Sequence, residues 1–291
     1  MTGEPLQIEV GGVELGAVRW RGAPGAPVAL GVHGITANAW SWAGVAAALD
    51  GEIGLVAIDL RGRGGSSATP GPFGMRQHAD DVAAVIDRLG AAPAVVAGHS
   101  MGTYVALMCA ERHPAEVSGL VLVDGGHALA MPEGLSPQQA LDAIVGPAIE
   151  RLRTVWPDRV AYRTMWSEHP AFAGELTPDV ERYVLSDLVP CEGGFRSCVS
   201  EDAVRFDGEE LLVDDEVRTA IDRLAEPTTI IRAETGLMAA PPPFIPDDVV
   251  DRYPQHAWHT VPGTNHYSVL IGEAGATAVA DALRTAVSSR E

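Results

Sequence analysis

The stretch Ala94-Val95-Val96-Ala97-Gly98-His99-Ser100-Met101-Gly102-Thr103-Tyr104 constrains this chain more than any other. A short apolar run ends in a Gly-X-Ser-X-Gly turn. An apolar helical pattern follows through Ala106, Leu107, Ala110 and Glu111. Glycines two residues either side of Ser100 let the backbone fold back sharply without Cβ clashes. The serine is thereby pushed to the tip of a strained turn. The helix after it aims its N-terminal N–H groups at any negative charge that develops there. Strand, turn and helix together describe an activated nucleophile.

The rest of the chain supplies a matching frame. Continuous apolar runs such as Pro27–Val32, Gly54–Ile58 and Gly119–Val123 read as strands covered on both faces. Helical patterns separate them, for example from about Gln77 to Leu89 with Val82, Val85, Ile86 and Leu89 on one face. Two alternating runs joined by Gly11-Gly12 open the chain as a hairpin. Alternating strands and helices predict a doubly wound α/β sheet.

The alternation stops after Asp124-Gly125-Gly126. From 127 to 225 no buried strand is evident, and helical patterns appear at about 137–153, 158–168 and 177–188. Prolines punctuate them. A compact domain does not tolerate a structureless loop of this length, so residues 127–225 read as an inserted helical subdomain. Residues 1–126 and 226–291 then form the core domain. The sheet pattern resumes at Pro227–Ile231. It ends with Ala257–Val261, the turn Pro262-Gly263-Thr264-Asn265-His266 and an alanine-rich helix to Ser288.

Composition narrows the function classes. With 291 residues and 46% hydrophobic content, the chain can bury a sizeable core. A formal charge of −19 repels nucleic acid and anionic membrane, so neither is an expected partner. Met1-Thr2-Gly3-Glu4-Pro5 does not begin a signal peptide, and no apolar run is long enough for a membrane helix, so a cytoplasmic location is expected. The three cysteines are Cys109, in the helix after the turn, and Cys191 and Cys198, whose spacing permits a disulfide without requiring one. No metal site is implied.

In four motifs, taken in order, the chain resembles the α/β-hydrolase superfamily: His33-Gly34, Asp59-Leu60-Arg61-Gly62-Arg63-Gly64-Gly65-Ser66, the Gly98–Gly102 turn, and Pro262-Gly263-Thr264-Asn265-His266. The resemblance implies a mostly parallel eight-stranded sheet with the insert as a cap over its C-terminal edge, where ligands bind. It implies Ser100 as nucleophile and His266 as general base. A serine at this position argues against the dehalogenase and epoxide-hydrolase branches, which use an aspartate ester. Met101 N–H supplies one oxyanion donor, and the resemblance implies Ile35 N–H as the second.

The acid is open between two carboxylates. Most family members carry an aspartate shortly after the seventh strand, where this chain reads Arg232-Ala233-Glu234-Thr235-Gly236-Leu237-Met238. Glu234 is the carboxylate at that place, but Asp124, at the end of the sixth strand where some branches of the family place their acid, is the expected acid, with Glu234 as the alternative. His99 and His33 are expected to support their loops. Asp59 and Arg61 are expected to hold a charged turn. Trp40, Trp42, Met165 and Trp166 are the candidates for lining a substrate pocket, although in the insert Trp156, Met165, Trp166, Phe172 and Tyr183 fit a core of its own equally well. The expected function is cofactor-free cleavage of an ester, thioester or lactone of a small to medium apolar substrate. The alternatives are C–C bond hydrolysis, perhydrolysis or a lyase reaction on the same residues, or non-catalytic ligand binding on the same scaffold.

Overall fold

The computed structural model describes residues 2–172, 176–224 and 226–289. Its main sheet has eight strands: β1 (Glu4–Val10), β2 (Val13–Trp20), β3 (Val28–Val32), β4 (Gly54–Ile58), β5 (Ala94–His99), β6 (Val117–Val123), β9 (Thr229–Ala233) and β10 (Ala257–Val261). Their spatial order is β1-β2-β4-β3-β5-β6-β9-β10. The β1–β2 and β2–β4 pairs are antiparallel and the rest are parallel. Gly11 and Gly12 both take positive φ, as a two-residue hairpin turn requires.

The order reverses between β3 and β5. The chain winds from β3 to β4 on one side, then crosses back to β5 and continues the other way. A crevice opens at the C-terminal ends of two such strands, because the loops that follow them diverge. Residues 33–36 and Ser100 occupy those two ends.

Helices cover both faces. α2 (Met75–Leu89), α3 (Met101–Arg112) and α9 (Asp247–Arg252) pack on one core, where Val82, Ile86, Val105 and Met108 meet Leu30, Val56 and Val96. On the other face, α1 (Ala43–Leu49), α10 (Ser268–Ile271) and α11 (Glu273–Ser288) bring Val45, Leu49, Val279 and Leu283 against Ala29, Ala57, Ala97 and Val121. The period-2 alternation of the inner strands feeds one core and then the other.

The insert contains α4 (Pro137–Arg153), α5 (Arg159–Glu168), α6 (Pro178–Leu185), α7 (Glu201–Val213) and α8 (Asp215–Arg218). Ser136 and Gln139 form a reciprocal capping box at the start of α4. The expected helices at 137–153 and 158–168 lie where α4 and α5 are found. The expectation of helix to 188 needs correction. α6 ends at Leu185, and a separate antiparallel hairpin follows, β7 (Leu188–Cys191) with β8 (Gly194–Ser197). α7 carried no separate expectation. Ala225, the expected last residue of the insert, lies outside the described residues, as do 173–175, Met1 and the final two residues. Cys109 is buried, and Cys191 and Cys198 are free thiols. No helix among the described residues is long and apolar enough to cross a membrane.

Candidate active site

Ser100 sits between β5 and α3 with φ 53° and ψ −120°, a strained conformation for a residue with a side chain. Close approach explains the flanking glycines. A Cβ on Gly98 would lie 2.2 Å from the Gly102 carbonyl oxygen, and one on Gly102 would lie 2.2 Å from the Val32 carbonyl oxygen. The turn is tied down by Ser100 N–H to Val123 O at 2.9 Å and by Thr103 Oγ1 to Ser100 O at 2.5 Å.

His266 bridges two groups from other strands. Its Nε2 is 3.0 Å from Ser100 Oγ and its Nδ1 is 2.8 Å from Asp124 Oδ2. Asp124 is fully buried with φ 48°, and its second oxygen accepts Ala233 N–H at 3.1 Å. Gly125 lets this turn press on the nucleophile turn, for a Cβ there would stand 2.6 Å from Ser100 O. A carboxylate at Nδ1 places that proton on Nδ1 and leaves the Nε2 lone pair facing the hydroxyl. Glu234 does something else. It is exposed, and its Oε2 accepts Gly263 N–H at 2.8 Å, closing the turn that leads to the histidine.

The histidine loop is held on three sides. His99 Nε2 donates to His266 O at 2.8 Å, and burial pushes the His99 imidazole down to about 3, so it is neutral at pH 7. Asn265 Oδ1 accepts Tyr267 N–H and Ser268 N–H, at 2.9 and 3.0 Å, while its Nδ2 donates to Ala171 O in the insert. The Phe244 ring lies 4.4 Å from the imidazole, centroid to centroid.

Ile35 and Met101 line the same cavity as Ser100. Neither Ile35 N–H nor Met101 N–H has a partner among the described residues. Met101 opens α3, where the dipole adds to the attraction for an anion. The peptide that carries the Ile35 N–H is held by its own carbonyl, because His33 Nδ1 donates to Gly34 O at 2.7 Å. His33 Nε2 accepts Leu60 N–H at 3.1 Å, which fixes that tautomer, and burial lowers the ring to about 3. In the next loop Asp59 accepts Ala39 N–H and Gly65 N–H, at 2.7 and 2.8 Å, and Arg61 pairs with Asp81 at 2.7 Å.

Ser100 opens on a cavity of about 120 Å³ between the sheet edge and the insert. Ile35, Leu141, Val145, Leu211, Leu212 and Phe244 form much of its wall, and no Asp, Glu, Lys or Arg lines it among the described residues. The four pocket candidates must be corrected, for none lines it. Trp42 is fully buried in the core and lies over Gly31, where a Cβ would meet its ring at 2.7 Å. Trp40 stands edge-on to Trp20 at 5.8 Å and beneath the Arg182 guanidinium. Trp166 and Met165 pack with Tyr162, Phe172 and Tyr183 in a cluster where the insert meets Ala37 and Tyr267 of the core domain, and Arg151 stacks 5.0 Å above the Trp166 ring. Of the insert residues singled out from sequence, Tyr183 does reach the cavity.

A carboxylate, an imidazole and a hydroxyl thus stand in series, beside two amides without partners among the described residues. The family model of the α/β-hydrolase fold matches residues 28–176, and the chain belongs to that family. It is 24% identical to 2-(acetamidomethylene)succinate hydrolase of Mesorhizobium japonicum, over 90% of this chain and 88% of that one. It is 35% identical to lipase LipV of Mycobacterium tuberculosis over 43% of this chain, a match that spans only 46% of the lipase. Among solved structures, E-2-(acetamidomethylene)succinate hydrolase superposes with a TM-score of 0.78 at 21% identity, covering 97% of this chain and all of that one.

Proposed function

We propose that this chain is a serine hydrolase that cleaves an ester, thioester or lactone of an uncharged, small to medium apolar substrate. The observation that carries this is His266 bridging Ser100 and Asp124 at the mouth of an apolar cavity. Ser100 Oγ attacks the substrate carbonyl as His266 Nε2 takes its proton. The carbonyl oxygen becomes an anion and is received by Met101 N–H and Ile35 N–H. Asp124 keeps the imidazole oriented and stabilises its charged form. The imidazolium then protonates the leaving group, and an acyl-enzyme remains on Ser100. A water, deprotonated by His266, hydrolyses it by the reverse sequence.

The lipase relative favours apolar acyl chemistry, and so does the wall. The other relative's named substrate is a succinate derivative. Among the described residues no Lys or Arg lines this cavity to pair with a carboxylate, and an unpaired buried charge is costly.

The test is labelling and turnover. A fluorophosphonate should label Ser100, and short-chain p-nitrophenyl esters should be hydrolysed. Full activity in folded Ser100→Ala would overturn the proposal.

A further inference from the structure

One charged pair buried beside the site has no part in the chemistry above. Arg63, in the turn after β4, and Asp207, on α7 of the insert, are both wholly buried and pair at 2.6 Å. Arg63 Nε donates to Ile35 O at 3.0 Å, and its Nη1 also donates to Arg61 O at 2.9 Å. Asp207 has two other partners. Gly74 N–H donates to it at 2.7 Å, and His78 Nε2 lies 3.0 Å from it. Burial works against ionising Asp207, but His78 and Arg63 outweigh it and hold the carboxyl at about 2.

The contact with Ile35 has a geometric consequence. The Ile35 N–H and the Ile35 carbonyl belong to the two peptide planes that flank one α-carbon. His33 pins the first plane through Gly34 O, and Arg63 pins the second through Ile35 O. With both planes held, the N–H cannot rotate away from Ser100 without breaking one of those bonds. An arginine side chain is long and rotamer-rich, so it holds a carbonyl in place only if its other end is fixed. Asp207 fixes it.

The same helix faces the cavity. Gly208, Leu211 and Leu212 line the cavity, and Gly208 lets α7 settle on the loop, since a Cβ there would lie 2.4 Å from Leu141 Cδ1 and 3.3 Å from Ile35 Cδ1.

We infer that Asp207 is a positioning residue for the oxyanion loop: from α7 it holds Arg63, and Arg63 holds Ile35 so that the Ile35 N–H faces the developing anion. The inference rests on the proposed role of Ile35 N–H. It makes the seating of the insert a condition for a complete oxyanion site, because displacing α7 removes the group that fixes Arg63.

The experiment uses the full chain. Wild type, Asp207→Asn and Arg63→Lys are compared by kcat per serine titrated with a fluorophosphonate, by KM for p-nitrophenyl butyrate, and by inhibition with an alkyl trifluoromethyl ketone. That ketone forms a tetrahedral oxyanion on the serine. Asp207→Asn keeps the shape and loses the charge that holds Arg63. Arg63→Lys keeps a cation beside Asp207, but a lysine ammonium has no planar fork to reach Ile35 O as well. Each variant should lose about 10–100-fold in kcat and a similar factor in ketone affinity, with KM within about twofold, since only anion stabilisation is impaired. A merely structural role would lower the melting temperature and the titratable fraction while kcat per titrated serine stayed at the wild-type value, and that result overturns the inference. Failure of both variants to fold overturns it too. Wild type that is neither labelled nor active refutes the proposed reaction itself, a failure visible before any variant is made.

Discussion

Asp124 Oδ2 lies 2.8 Å from His266 Nδ1, while Glu234 turns its carboxylate outward to Gly263 N–H at 2.8 Å. The two acids near the ends of neighbouring strands thus have separate duties. Asp124→Asn should lower kcat by about 10³–10⁴-fold, because the amide presents a donor to Nδ1 and favours the wrong tautomer. Glu234→Gln keeps an oxygen for the Gly263 N–H and should cost less than about tenfold. Steady-state kinetics on one ester decides between them. The opposite ranking would return the acid to the loop after β9.

What was legible in the sequence divides along physical lines. Strands β3 to β6 and β9 announce themselves because a strand buried on both faces is a mostly apolar run, while β10, an edge strand with only Val261 buried, is marked by the turn that follows it. The Gly98–Gly102 turn is legible because the close approach admits only glycine. The β7–β8 hairpin is not, since each strand has four residues and Pro190 interrupts one, although Gly193-Gly194 repeated the signal seen at Gly11-Gly12. The choice between Asp124 and Glu234 turns on the positive φ of Asp124, which composition does not reveal. Arg63 reads as one more charge in a glycine-rich turn. Its importance arises only when α7, well over a hundred residues later, lays Asp207 against it.

Acid should destabilise the fold through its buried histidines. Burial lowers His33 and His99 to about 3 and His127 to about 4, from an ordinary value of 6.5. The folded values lie below the unfolded one, so between about pH 3 and 6.5 the unfolded chain binds more protons. The stability from keeping these rings neutral is therefore complete above 6.5 and lost as pH falls. Each contributes a slope of up to about 1.4 kcal/mol per pH unit inside that window. Urea midpoints measured from pH 7 to 4.5 should fall steadily, and more gently in His127→Gln. A flat wild-type profile would contradict the assignment of neutral rings.

Trp166 separates insert stability from substrate binding. It is buried among Tyr162, Phe172 and the Arg151 guanidinium, and it is absent from the cavity wall. Trp166→Leu should cost about 2–4 kcal/mol in chemical denaturation, the range for a large side chain removed from a packed core. KM for a short ester should shift by less than about threefold. A large rise in KM with unchanged stability would put the indole in the pocket after all.

Leu141 and Leu212 offer the converse test. Both are almost wholly buried and both line the cavity. At about 120 Å³ the cavity holds a short acyl group, so the wild-type preference should fall off as the chain lengthens. Leu212→Ala removes wall atoms from within, and each methylene then admitted is worth about 0.8 kcal/mol, or roughly fourfold in kcat/KM. The profile over a p-nitrophenyl ester series should move to longer chains while the absolute rate on the acetate ester changes little, since Ser100, His266 and the two amides are untouched. The same series should include a hemisuccinate ester. Its terminal carboxylate meets no Lys or Arg among the described lining residues, so its kcat/KM should be at least about tenfold below that of the butyrate ester. Preference for the hemisuccinate would mean that the wall accommodates an anion, and the reading of an uncharged acyl substrate would fall while the reaction class stood.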